Sequence, residues 1–498
     1  MTNGQSFWDI NIWVFVLVLA AIFAAMLIAN LLIKSIKPLR KALIPAPVLG
    51  GFILLGFYYI YKAIVGFDHT SVASIQSILE VLTYHCLGLG FVASALKRTK
   101  KLQEKKNSAQ KGIFNASLIT IGGYLVQAIV GIGVSLVCFL IIGSWPGSGL
   151  LLPMGYGQGP GQAFNWGSIF ENSAEGTYVG GQFQFGTSFG LSIAALGFIS
   201  ASIGGVIFLN IQRRKGNLKM VQATETKEPT LDTFTEENEI PASESIDKSS
   251  VQVGLVLVGY AISFLTIFGL SKACDAAGGF FVGTVKPLIW GFNFIFGTLI
   301  ATLIKILLNL LKRKGVIKRE YLNNYMMDRI SGIAFDVMVV AAIAAIDLSA
   351  FAHLQFLLPL LLMGVLGACG TYFYCKFVCN CLYSEYREEM FLAMYGMLTG
   401  TASTGVILLR EIDPEFKTPA CNNMVFQALY ALLLGFPVLL AVGAMPKSWT
   451  NMIIWGAIIL VYAVFIVVLT FRESIFKKKN KDGVPQNSAE PQIEESAE

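Results

Sequence analysis

The strongest constraint in this chain is a set of eleven mostly apolar runs. Each is close to the roughly 20 residues an α-helix needs to cross a hydrocarbon layer. They fall near Ile12–Ile33, Val48–Ile64, Ile75–Leu96, Ile113–Ile142, Phe185–Ile211, Val251–Leu270, Leu288–Leu311, Ile330–Leu348, Phe356–Val378, Met424–Val442 and Ile453–Phe471. With 55% hydrophobic and only 14% charged residues, no soluble core can hide so much apolar surface. The two-residue alternation of outer-membrane barrels is absent, so the expected class is an all-α polytopic membrane protein. The first eleven residues carry no lysine or arginine, and the first run is full length. That pattern reads as a retained helix rather than a cleaved signal peptide.

The net charge of +6 belongs to topology, not to nucleic-acid binding. Basic residues crowd Lys34–Lys41, Lys97–Lys111, Arg213–Lys219, Lys312–Arg329 and the tail at Lys477, Lys478, Lys479 and Lys481. The intervening connections are nearly bare: Lys62 in one, none from Gly143 to Gln184, and Lys272 and Lys286 in another. Because lysine and arginine resist translocation, the N-terminus is expected outside and the C-terminus in the cytoplasm of a plasma (inner) membrane.

On this topology Gly143–Gln184 must leave and return on the outer side. It contains PMGYGQGPGQAFNWG (Pro153–Gly167), uncharged, with five glycines and two prolines between apolar neighbours. It reads as a re-entrant hairpin at about 145–183. The mirror-image stretch is EEMFLAMYGMLTGTASTGVILLREIDPEF (Glu388–Phe416), a hairpin at about 388–416 entering from inside. The expected organisation is therefore an inverted repeat of five transmembrane helices plus one hairpin each. The first repeat spans 1–214 and the second 251–443, with an additional transmembrane helix at 444–476. A disordered cytoplasmic linker at 215–250 and a tail at 477–498 follow from acidic, polar, aromatic-poor composition.

Broken backbone at membrane depth survives only where it is buried or lines a cavity, because an unpaired amide or carbonyl in lipid costs several kcal/mol. There it can serve a ligand: unwound carbonyls suit sodium, and half-helix N-termini suit an anion. Gly155, Tyr156, Gly157, Gln158, Gly159, Gly161, Gln162 and Asn165 are thus expected to bind substrate with Thr399, Gly400, Thr401, Ser403, Thr404 and Arg410. Gly157, Gly159 and Gly161 are expected in non-helical backbone, with Pro160 interrupting the helix. Two intramembrane carboxylates, Glu80 and Asp336, sit at matching places in the halves and are the ion-coupling residues. A sodium site is expected from Gly157, Gly159, Gly400 and Asp336. The dinucleotide fingerprint is not met, since Pro160 stands where its third glycine would fall. Eight cysteines lie mostly in apolar runs and form no disulfide framework; Cys375, Cys379 and Cys381 lack a histidine or carboxylate at ligand spacing.

With IPAPVLGG (Ile44–Gly51) at the second run, the two hairpins and the five-plus-five plan, the chain resembles the sodium/glutamate symporter family. The resemblance implies a homodimeric, elevator-type carrier without a cofactor, with sodium as coupling ion and a small anionic substrate at the hairpin tips, Gly155–Gln162 and Gly396–Gly405. Where that family has glycine-histidine-glycine in its first hairpin, this chain has Gly155-Tyr156-Gly157-Gln158. Another carboxylate or amino acid, or proton coupling through Asp336, remains open on the residues alone. An enzyme is disfavoured by the absence of HExxH and of a histidine-rich metal set, and a channel by the single opposed pair of hairpins. The topology makes a direct prediction: single cysteines at Ser173 and Ser243, in a background without the native cysteines, label from opposite sides of the membrane. Labelling from one side contradicts the inverted plan.

Overall fold

The computed structural model describes residues 10–65, 69–97, 106–216, 248–317 and 321–472. The tail at 477–498 lies outside them, as does the 215–250 linker apart from its first two and last three residues. Every regular element among the described residues is helical, and ten helices are long and apolar enough to cross a membrane. Large apolar side chains such as Leu27, Leu31, Leu265, Leu303, Ile453 and Val461 stand exposed on the bundle surface. In water such a surface would aggregate, whereas in a bilayer it meets lipid tails. The protein is an all-α polytopic membrane protein.

In chain order the helices are α1 (Ile10–Ser35), α2 (Lys37–Lys41), α3 (Ala46–Val65), α4 (His69–Leu96) and α5 (Lys106–Ile142). Then come α6 (Pro160–Glu171), α7 (Gly186–Arg214), α8 (Lys248–Ala277), α9 (Lys286–Gly291), α10 (Asn293–Arg313) and α11 (Asn324–Ala344). The remainder are α12 (Leu354–Leu382), α13 (Arg387–Thr399), α14 (Ala402–Arg410), α15 (Ala420–Phe426), α16 (Ala428–Ala444) and α17 (Trp449–Thr470).

Three apolar runs differ from the sequence reading. The eighth, α11, is not among the ten apolar helices, because it carries three charged residues, Asp328, Arg329 and Asp336. It packs between α3 and α4, and every residue from Val337 to Ile346 is buried, so protein rather than lipid surrounds its second half. The seventh run is broken at Phe292 (φ −107°, ψ 38°), which separates α9 from α10. The tenth is interrupted at Gln427, between α15 and α16.

One group of helices packs as α1 on α3, α3 on α11, α11 on α4, α4 on α10 and α10 on α8. A second group is built on the α5–α12 contact, with α7, α13, α15, α16 and α17 around it. Ion pairs tie helix ends at one extremity: Lys97–Asp328 (2.6 Å), Arg213–Glu411 (3.3 Å) and Lys376–Glu388 (3.1 Å). Lys286–Asp275 (2.7 Å) lies at the other.

Small residues set the closest approaches, since apolar helices in lipid gain affinity chiefly from tight packing. On α7, Gly186, Gly190 and Ala194 recur every four residues, so one face is stripped of side chains. A Cβ on Gly186 would lie 2.7 Å from the Gly167 carbonyl oxygen, and one on Gly190 would lie 2.3 Å from that of Ala163. The face thereby admits α6. Between Gly131 on α5 and Gly149 the backbones touch: a Cβ on Gly149 would lie 2.0 Å from the Gly131 oxygen. Gly149→Ala is therefore expected to destabilise the protein by about 1–3 kcal/mol through overpacking. Gly133→Ala, in open space on the same helix, is neutral or slightly stabilising. Thermal unfolding in detergent compares the two, and equal melting temperatures contradict the reading.

Candidate functional site

Both glycine-bearing stretches fold as helical hairpins with a short break at the tip. After α5 the chain turns at Gly143 (φ 66°) and winds through Ser148–Leu150 into a widened helical turn at Pro153–Gly157. It breaks at Gln158–Gly159 and returns as α6. The second hairpin is α13, a break at Gly400–Thr401, and α14. The hairpins enter from opposite ends. At the first base, the Trp145 indole N–H donates to Gly181 O (3.0 Å) and Val179 N–H to Pro446 O (2.8 Å). At the second, Arg213 pairs with Glu411 and Lys376 with Glu388.

The tips meet. A Cβ built on Gly159 would sit 3.5 Å from the Gly400 carbonyl oxygen and 3.5 Å from Thr401 Cγ2. Gly159 adopts φ 87°, ψ −177°, a conformation only glycine takes readily. The expected loop is much shorter than the glycine density suggests. Gly157 lies in the widened turn and Gly161 within α6, so both are helical. Pro160 does not block a helix; it starts one at the first position, where its missing N–H is no loss. Gly157 and Gly161 are small for packing reasons. A Cβ on Gly157 would lie 2.4 Å from the Tyr124 ring, and one on Gly161 would lie 2.7 Å from Leu87 Cδ1.

Neither residue preceding these two helices, Gly159 or Thr401, caps the following helix with its side chain. Two helix starts, each carrying partial positive charge and first-turn amides free of a side-chain cap, therefore face one buried junction. The pair α5–α12 frames it. The Tyr124 hydroxyl donates to Gly157 O (3.2 Å), and buried Gln127 donates from Nε2 to Leu398 O (2.8 Å) and Thr371 Oγ1 (3.0 Å). One helix thus holds both tips. The Gln127 Oε1 atom has no hydrogen-bond partner among the described residues. Tyr124, Gln127 and Thr371 were not foreseen as site residues. A lone amide in the apolar run YLVQAIV was the available signal for Gln127.

The other expected residues separate into groups. Gly155 packs on Ile193, and fully buried Tyr156 donates to Gly364 O (2.7 Å). Gln158 is half-buried at the tip. Thr399 Oγ1 bonds back to Tyr395 O (2.7 Å), and the Thr401 and Thr404 hydroxyls lie 3.3 Å apart beside Gly400. Ser403 is exposed. Gln162 and Asn165 turn away from the second hairpin: both amides donate to Gly291 O, at 3.3 and 2.9 Å. Arg410 ends α14, about 12 Å along the axis from its first residue. Its guanidinium lies over the Phe416 ring at 5.3 Å, at the hairpin base. Glu80 accepts from Gln76 (3.4 Å) near Glu171, the far end of α6 from the tip. Asp336 is exposed, on the stripe of α11 that also carries Gly332 and Ile333. Of the expected sodium ligands, Gly159 and Gly400 come together, while the Gly157 carbonyl is taken by Tyr124.

No protein-family model matches this chain, and no curated protein matches its sequence.

Replacing Gln127 by leucine removes both its hydrogen bonds and leaves a buried carbonyl, Leu398 O, short of a donor. The expected loss is about 1–3 kcal/mol, with faster amide hydrogen exchange in 397–405. Unchanged exchange there contradicts its role as the clamp on the second tip.

Proposed function

We propose that the protein is a sodium-coupled secondary active transporter that imports glutamate or a similar small organic anion by elevator-like alternating access. The observation that carries this reading is the meeting of two broken hairpins from opposite ends, with uncapped starts of α6 and α14 beside Gly159 and Gly400. An anion gains from both helix ends, and carbonyls at the breaks suit sodium.

The packing supports an inverted repeat. Contacts α1–α3 and α3–α11 have counterparts in α8–α10 and α10–α4, while α4–α11 and α5–α12 are the self-matched pairs. This is the contact pattern expected if 10–214 and 248–444 are related by a two-fold axis in the membrane plane. The first hairpin is closed in, buried throughout Gly159–Gly167, while Ala402 and Ser403 at the start of α14 are exposed. The site therefore opens toward the end that bears the second hairpin. That end is cytoplasmic on the positive-inside reading, with the N-terminus outside in the plasma membrane. The functional unit in this reading is a homodimer.

Reconstitution in liposomes tests the proposal. With an inward sodium gradient, labelled glutamate or a related amino acid or dicarboxylate accumulates saturably and leaks out when the gradient collapses. Uptake driven by a proton gradient alone assigns proton coupling instead, and no gradient-driven uptake of any such anion ends the reading. Gly159→Ala forces a Cβ into positive φ, a strain of about 1–2 kcal/mol. It is expected to remove most uptake while leaving insertion intact. Thr401→Val deletes a single hydroxyl and lowers affinity mildly, by about 0.5–1.5 kcal/mol. Asp336→Asn abolishes or strongly weakens ion-coupled uptake, and unaltered sodium dependence makes Asp336 structural.

A further inference from the structure

A second polar cluster lies where α6 crosses the break between α9 and α10. Gln162, Asn165 and Asn293 are each at most 3% exposed. Because a carbonyl only accepts, the amide NH2 groups of Gln162 and Asn165 must both face Gly291 O, as they do. Their oxygens then point elsewhere. Gln162 Oε1 and Asn165 Oδ1 have no hydrogen-bond partner among the described residues, and neither side-chain atom of Asn293 has a well-formed one. An orphaned buried acceptor costs about 1–3 kcal/mol, so three buried amides beside one break form an array built for something to fill.

The surroundings select the filler. Asn293 lies near the Tyr84 and Tyr260 hydroxyls. Tyr84 donates to Trp290 O (3.1 Å), and Tyr260 OH is 2.9 Å from His85 Nδ1. The helical run Phe281–Gly291 ends at this point, and its last carbonyl, Gly291 O, already takes both NH2 groups, which leaves the amide oxygens for a ligand on the other side. Neutral oxygens suit a monovalent cation, whereas Ca²⁺ and Mg²⁺ recruit carboxylates. The unpartnered indole N–H of Trp166, whose ring lies against Gly291, faces the same region and suits a water in the ion's shell.

We propose that the side-chain oxygens of Gln162, Asn165 and Asn293, beside the break that follows α9, form a binding site for a sodium-sized cation. The site is separate from the junction at Gly159 and Gly400. Its role in coupling rests on the transporter reading; the binding itself does not.

The test uses the purified full chain in detergent, titrated with NaCl against choline chloride and KCl at constant ionic strength. It reads the melting temperature and the intrinsic fluorescence of the tryptophans, two of which (Trp166 and Trp290) border the cluster. Sodium is expected to raise the melting temperature. Gln162→Met and Asn165→Leu, each removing one oxygen at similar volume, raise the half-saturating sodium concentration by at least about tenfold. Thr266→Val, half-buried on α8 with its hydroxyl bonded back to Ile262 O, leaves it unchanged. If either core variant is not monodisperse, Asn293→Ala decides, because it withdraws the third oxygen and adds no bulk. No sodium effect on the wild-type chain, or an unchanged half-saturation in the folded variants, overturns the proposal. Sodium stabilisation without sodium-driven uptake leaves the site standing and removes the sodium-coupled transport reading. Sodium-driven uptake with unshifted variants does the reverse.

Discussion

Backbone hydrogen bonding in a medium without water governs this architecture. An α-helix satisfies its own amides and carbonyls, so it can face lipid, but a break cannot. The chain has breaks at Gly159, Phe292 and Gly400, all within the bundle. Protein has to enclose each of them, and the enclosure dictates much of the packing. The two hairpin tips cover one another, Tyr124 and Gln127 supply donors to carbonyls beside the breaks, and Gln162 and Asn165 do the same for Gly291. The small-residue face of α7 follows from the same need, because a hairpin arm must be drawn close before its tip can be buried.

Much of the gross plan was legible. Apolar length gave the membrane class, and glycine density gave the position of both hairpins, with the breaks at Gly159 and Gly400 inside the stretches singled out. What was not legible is where glycine serves space and where it serves conformation. Gly155, Gly157 and Gly161 are small because Ile193, Tyr124 and Leu87 press on them, and only Gly159 among these takes positive φ. A one-dimensional pattern carries no record of which neighbour stands opposite. The same reason hid the surroundings of α11: Ile330–Leu348 reads as one span among eleven, yet α3 and α4 enclose its second half. It also hid Gln127, whose partners Thr371 and Leu398 are 244 and 271 residues away in sequence.

The carboxylates mark another limit. On the inverted-repeat reading Glu80 and Asp336 hold matching positions, but their surroundings differ. Glu80 lies beside Glu171 near the base of the first hairpin, and Asp336 lies on an exposed stripe that ends where burial becomes continuous at Val337. Sequence symmetry therefore does not carry equal roles. The second half, with its exposed α14 start, has the more open carboxylate, and the first has the closed hairpin.

In the transporter reading, that asymmetry bears on how an alternating site is built. Two identical halves would place equal barriers on both sides of the junction. Here α6 is locked by the glycine face of α7 and by two amide bonds to Gly291, whereas α14 packs lightly and leaves Ala402 and Ser403 exposed. The locks on α6 are of two kinds. The glycine contacts are dispersion between surfaces that fit only in register. The amide bonds leave acceptors unsatisfied, so their net worth depends on what else occupies the cluster. A cation at Gln162 and Asn165 would strengthen the second kind and hold the first hairpin shut. Its departure would leave α6 held by packing alone, which ties the closure of one hairpin to the ion rather than to the substrate between the tips.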